Sequence, residues 1–158
     1  MIKPRYQEIS SSKIPIAKSL SNEGVRVKVI AGESIGTRAI IDTKTPIMYL
    51  HFILKSGDEL VQHVPANFNT FAYIINGEGL FGKNNSLAQK GQMVISGNDG
   101  DQVVFKKRVD SKDASEKPDL DLLLLAGQPL NELVARYGPF VMNDQSRDQP
   151  RYRRLQIW

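Results

Sequence analysis

The segment from Gly57 to Gly79 sets the tightest limit on what this chain can fold into. It contains a turn at Ser56-Gly57-Asp58, an extended stretch from Glu59 to Val64, and the run Phe71-Ala72-Tyr73-Ile74-Ile75, closed by Asn76-Gly77. Aromatic and β-branched side chains suit a pleated strand better than a helix, and Asn-Gly supplies the backbone that tight hairpins need. Leu80-Phe81 is therefore expected to return antiparallel beside the 71–75 strand. Gly77-Glu78-Gly79 then reads as turn chemistry, not a phosphate loop, because no helical pattern follows it.

The rest of the chain repeats this grammar. Val25, Val27, Val29 and Ala31 alternate with Arg26, Lys28 and Ile30, the period of a half-buried strand. Thr37 to Ile41 can continue as a second strand. Met48, Leu50, Phe52 and Leu54 make one apolar face, with Tyr49 and His51 on the other, so His51 reads as a surface strand residue. Further strands are expected at 92–96, 102–106 and 120–126, the last as a buried central strand, while Lys83 to Lys90 and Asp110 to Asp119 read as irregular. About eight short strands with turns at close intervals, and no amphipathic helix, give an all-β expectation: a barrel or jelly roll.

A chain of 158 residues is of single-domain size and buries roughly 70% of its unfolded surface. The absence of cysteine excludes a disulfide framework, a thiolate metal site and a cysteine nucleophile. The charged, proline-containing start and the short apolar run at 122–127 argue against a signal peptide or a membrane span, so an intracellular protein without membrane attachment is expected. Lys106-Lys107-Arg108 and Arg147, Arg151, Arg153 and Arg154 are the basic clusters. No aromatic-interleaved stripe or helical reading head accompanies them, so they read as solvated surface and no direct nucleic-acid binding is expected.

The frame from Gly57 to Gly77 resembles the first motif of the cupin family: Gly, five residues, His, one residue, His, three or four residues, Glu, six residues, Gly. Here His63 follows Gly57 after five residues, but Pro65 stands at the second His and Thr70 or Asn69 at the Glu. In the second motif Gly91 opens the spacing, Gly97 replaces the proline, and Gln102 replaces the last His. A mononuclear cupin centre needs several imidazoles and usually a carboxylate converging inside the barrel. With two histidines in the chain, no catalytic residue and no metal ligand is assigned. His63 and Gln102 are the candidate polar groups at a barrel mouth.

Leu124-Leu125-Ala126-Gly127-Gln128-Pro129-Leu130-Asn131-Glu132, followed by Gly138-Pro139-Phe140-Val141-Met142-Asn143, is similar to the C-terminal domain of pirins. Lys3-Pro4-Arg5-Tyr6-Gln7-Glu8 resembles the segment leading out of a pirin's first barrel, and Val29 to Glu33, Thr45-Pro46 and Met48-Tyr49-Leu50 match its second. The resemblance implies a single cupin-type jelly-roll barrel, the second half of a bicupin. The expected layout is a lead-in at 1–20, the barrel at 21–143, and a divergent basic tail at 144–158, read as disordered. After Asn143, Arg147 disfavours the start of a helix and Pro150 would break it.

Pirins hold one iron through three His and a Glu in the first barrel; they act as nuclear transcriptional coregulators, and some are quercetin 2,3-dioxygenases. None of those ligands has a counterpart here, so no cofactor is expected in this chain, and iron belongs to the full-length family. The resemblance implies a metal-free binding or scaffold module in nucleus or cytoplasm, partnered by another protein or by a pirin-type N-terminal barrel. The alternative is part of a quercetin 2,3-dioxygenase-type enzyme whose iron site comes from that other barrel. Arg151, Arg153, Arg154 and Trp158 in the tail are the candidate partner-binding residues.

Overall fold

Alternation of apolar and polar side chains organises the chain into strands, and the pairing of those strands departs from the expected barrel. The computed structural model describes residues 5–19, 24–97, 99–108, 118–137 and 140–143. The chain divides into a unit Met1–Gln128 and a unit Pro129–Trp158. In the first unit the strands are β1 (Ile16–Lys18), β2 (Val25–Ala31), β3 (Glu33–Ser34), β4 (Thr37–Arg38), β5 (Ile47–Leu54) and β6 (Glu59–His63). They continue as β7 (Asn69–Asn76), β8 (Glu78–Phe81), β9 (Ser86–Gln89), β10 (Met93–Ile95), β11 (Gln102–Lys107) and β12 (Leu120–Gly127). The second unit holds the antiparallel pair β13 (Ala135–Tyr137) and β14 (Phe140–Met142).

The larger sheet has the order β1-β2-β5-β12-β7-β10 and the smaller β6-β11-β8-β9; β3 and β4 form a hairpin of their own. Strand β12 is central, as its apolar run implies, with antiparallel ladders to β5 on one side and β7 on the other. Its Leu120, Leu122 and Leu124 are buried beside Leu50, Phe52 and Leu54 of β5 and Val25, Val27 and Val29 of β2. Each such side chain contributes about 1.5–3 kcal/mol on burial. The smaller sheet answers with Phe81 and Phe105; the Phe105 ring meets Phe52 of the larger sheet edge-on, centroids 5.0 Å apart. The core is therefore a layer between two facing sheets.

This corrects the expected fold. The chain is built of β-strands, but they lie in open sheets, and the single cupin-type jelly-roll barrel is not formed. Closure requires an unbroken ring of paired strands with matched tilt and stagger. Among the described residues no ladder joins the edges of the larger sheet, β1 and β10, to the smaller one. Both edge strands are only three residues long, each paired on one side alone.

The expected hairpin at Asn76-Gly77 is corrected as well. β7 pairs with β12 and β10, whereas β8 pairs with β11 and β9, so the chain crosses from one sheet to the other at Gly77. One residue between strands is too few for a two-residue hairpin turn. Gly77 has φ +75, and a Cβ there would collide with the backbone carbonyl oxygen of Asp119. Strand β9 forms within the segment expected to be irregular and buries only Ala88, which leaves no alternation to mark it.

Gly77→Ala is expected to destabilise the protein by about 2–4 kcal/mol, from the left-handed backbone and the collision with main chain. Urea denaturation measures this. Gly82→Ala, also at positive φ but with open space around its Cα, is expected to cost about 1–2 kcal/mol.

Candidate functional site

Successive side chains on a strand point to opposite faces, so a one-residue phase decides which of them reach the interior. On β6, Glu59, Val61 and His63 are exposed while Gln62 is buried. His63 stands directly opposite Gln102 of β11, so the two candidate mouth residues are brought together as a cross-strand pair. Both are exposed. The inward polar residue on β6 is Gln62, which the motif frame passes over.

The second imidazole is remote from this pair. His51 lies on the face of β5 opposite the buried Leu50 and Phe52, as its alternation implies, and its Nε2 is 2.7 Å from Oδ1 of Asp121 on β12. Of the other cupin-frame positions, Pro65 offers no donor, and the buried Thr70 offers only a hydroxyl. A metal centre of the cupin type requires imidazole and carboxylate ligands in one place. Among the described residues no group of three His, Asp or Glu is placed to hold a metal, and the donor set does not fit iron.

Two recesses flank the core of the first unit. One, of about 760 Å³, is bordered by the β3–β4 hairpin, the 39–48 segment and β6. Its floor carries a buried polar pair: Ser34 Oγ donates to Gln62 Oε1 at 2.6 Å, and Gln62 Nε2 donates to the His63 carbonyl at 2.8 Å. The hairpin turns on Ile35 (φ 48) and Gly36 (φ 66), both left-handed. A β-branched residue in that conformation costs about 1–2 kcal/mol. Packing of Ile35 against the core offsets it.

The rim of this recess also fastens the start of the described chain. Asp42 Oδ2 accepts from Arg5 Nη2 at 2.9 Å, Gln7 Nε2 donates to the Asp42 carbonyl at 2.7 Å, and Asp42 N donates to Gln7 Oε1 at 3.0 Å. The hydrogen bond from Arg5, then its charge, holds the Asp42 carboxyl below the usual carboxylate range.

The second recess, of about 780 Å³, is lined by residues of β7 and β10 from the larger sheet and of β8 and β11 from the smaller. Its walls are Val64, Phe68, Ala72, Phe81 and Val94, and its buried polar group is Thr70, 7% exposed. The Thr70 backbone carbonyl accepts from Ser96 N, but the Thr70 hydroxyl makes no hydrogen bond with any described residue. Most buried polar atoms in folded proteins are partnered.

The basic run at 106–108 is not the solvated patch it resembles in sequence. Lys106 and Lys107 point to opposite faces of β11: Lys106 Nζ is 3.7 Å from Glu59, whereas Lys107 is buried, 2% exposed, with Nζ 3.4 Å from the Glu78 carbonyl. Arg147 and the candidate partner residues Arg151, Arg153, Arg154 and Trp158 lie outside the described residues, as does the glycine-proline turn at 138–139. No helix among the described residues is long and apolar enough to cross a membrane.

Ser34→Ala strands the Gln62 carbonyl and is expected to cost about 1–3 kcal/mol; adding Gln62→Met recovers part of this, since both partners then leave together. Urea denaturation of the two variants checks the pairing. The Asp42 contact responds to pH. Because the folded carboxyl titrates below its unfolded value, its contribution is present above the unfolded pKa and lost as pH falls through the folded one. Acidification through that window is expected to release Arg5, read as faster proteolysis at that residue, and Asp42→Asn is expected to abolish the pH dependence.

The pirin C-terminal cupin domain matches residues 49–153. A pirin-like protein of Solanum lycopersicum is 42% identical over 159 residues, covering 99% of this chain and 50% of its own length. Human pirin is 36% identical, covering 90% of this chain and 46% of its own length. Thus the chain spans about half the length of these curated relatives. Among solved structures, a quercetin 2,3-dioxygenase from Acinetobacter baumannii superposes with a TM-score of 0.81 at 25% identity, over 97% of this chain and 49% of that one. The resemblance carried by Leu124 to Asn143, the match over residues 49–153 and the relatives on both sides of the plant–animal divide agree: this chain belongs to the pirin family.

Proposed function

We propose that this chain acts as the iron-free half of a quercetin 2,3-dioxygenase-type protein, in which the iron centre is furnished by a pirin-type domain outside these 158 residues. The observation that carries the reading is the match to the Acinetobacter baumannii dioxygenase, which takes in nearly all of this chain but only 49% of that one. The donor set supports it, since His51 and His63 lie on different sheets.

The outer face of the larger sheet supports the same reading. Met93 and Ile95 of the edge strand β10 sit opposite Tyr73 and Phe71 of β7, and those in turn sit opposite Leu123 and Leu125 of β12. Met93 is 55% exposed and Ile95 73%. A contiguous apolar band of this kind favours cover by another domain. Such cover also fits the reading as a binding module; the two readings differ in whether the covering domain brings iron or is an unrelated protein, as for a transcriptional coregulator in the nucleus or cytoplasm.

Co-expression with the amino-terminal half of the tomato pirin-like protein tests this. The pair is expected to co-purify and to consume quercetin with oxygen uptake, and Met93→Asp with Ile95→Asp is expected to weaken assembly by about tenfold or more while the separate chain stays folded. Two halves that do not associate, or that co-purify without quercetin turnover, would refute the enzyme reading; failure to associate would leave cover by an unrelated protein as the reading in its place.

A further inference from the structure

We propose that the outer face of the larger sheet docks a protein surface that is apolar at one end and acidic at the other, its carboxylates meeting Lys18, Arg26 and Lys28. This rests on the reading of that face as covered by another domain, and it states the chemistry of the cover.

The strand registers fix what the face presents. Ile16, Lys28, His51, Leu123, Tyr73 and Met93 stand in one row across β1, β2, β5, β12, β7 and β10. The row on one side of it carries Lys18, Arg26, Ile53 and Asp121. The row on the other side carries Tyr49, Leu125, Phe71 and Ile95. Apolar side chains thus gather toward β12, β7 and β10, and cations at β1 and β2. Strands about 4.8 Å apart separate these two ends by roughly 20 Å.

The basic end lacks its counter-charge. Ser19 N donates to the Val25 carbonyl and Val29 N to the Pro15 carbonyl, so Lys18 and Arg26 face each other at a non-hydrogen-bonded position of the ladder. Side chains approach most closely there, and like charges directly opposite destabilise a sheet. Both residues are exposed. Neither they nor Lys28 makes an ion pair with a described residue. Asp121 is the one acidic residue in these six strands, and its Oδ1 is engaged 2.7 Å from His51 Nε2. A cover bearing carboxylates relieves the repulsion that the chain itself leaves standing.

The same inventory selects the occupant. A second copy docked face to face brings only its own Asp121, already held by His51, so the cations stay unmatched. An anionic bilayer presents one headgroup chemistry over the whole face, whereas a protein surface can match the two ends separately.

The first arm of the test titrates the full chain with poly-L-glutamate and follows amide proton–nitrogen shifts. Saturable shifts are expected at Lys18, Arg26 and Lys28, and Lys18→Glu with Arg26→Glu is expected to weaken binding about tenfold or more. Lys83→Glu with Lys90→Glu, exposed residues beside β8 and β9, makes the same change in net charge and is expected to weaken binding by less than about threefold. Equal loss in both double variants, or shifts spread evenly over the chain's lysines, would overturn the proposal. So would binding to phosphatidylserine vesicles that needs Lys18 and Arg26 together with Met93 and Ile95, in favour of a membrane surface.

The second arm uses the amino-terminal half of the tomato pirin-like protein. Lys18→Glu with Arg26→Glu is expected to slow association about tenfold at low salt and to flatten its salt dependence, while Met93→Asp with Ile95→Asp speeds dissociation. Loss in the apolar variant alone would overturn this proposal and leave the covered face standing. Halves that do not associate would remove the reading of the iron-bearing half, and the poly-L-glutamate arm then decides this one. Lys18→Glu alone turns the cross-strand pair into one of opposite charge. It is expected to raise the urea midpoint of the free chain while weakening poly-L-glutamate binding, a combination that a purely structural role for Lys18 does not produce.

Discussion

Burial of β12 between β5 and β7 is the constraint on which the rest of the first unit depends. Leu120, Leu122 and Leu124 point to the core, and the strand is paired along its length to β5 and, past an irregularity at Asp121–Leu122, to β7. With that face fixed, β5 must turn Leu50 and Phe52 inward, and β7 must turn Thr70, Ala72 and Ile74 inward. The smaller sheet closes over this surface through Phe105 and Phe81. A shift of one residue in β12 would export its leucines to solvent, which is why the register is so strongly specified.

Those strands were legible in the sequence from different signals: β5 from the apolar face of Met48, Leu50, Phe52 and Leu54, β7 from its aromatic and β-branched run, and β12 from its nearly unbroken apolar run. β6 displays none: in Leu60-Val61-Gln62-His63-Val64 a valine faces out and a glutamine faces in. The inward place of Gln62 is set by its partner Ser34, which lies on a hairpin far along the chain. No pattern within β6 announces that contact, so the cupin spacing drew attention to His63 instead. The burial of Lys107 was hidden in the same way, since a run of basic residues looks solvated until strand alternation separates its members.

Closure was not legible either. Counting strands and turns suggests a barrel, but a barrel depends on whether edge strands find partners, and that depends on their lengths and tilt. Here β10 and β1 are short, and the sheets stay open. The Asn76-Gly77 pair illustrates how one local signal serves two structures. Its glycine was needed for positive φ, as in a hairpin, but the turn it makes carries the chain between sheets.

This chain belongs to the pirin family, yet its two imidazoles lie on different sheets, where they cannot share a metal. The direct measurement is the iron content of the purified chain after Fe(II) loading and desalting, by plasma mass spectrometry. Iron well below one per chain, unchanged by His63→Ala, is expected. Retention of about one iron per chain, lost in His63→Ala, would contradict it, because a mononuclear site binds stoichiometrically through the residues that ligate it.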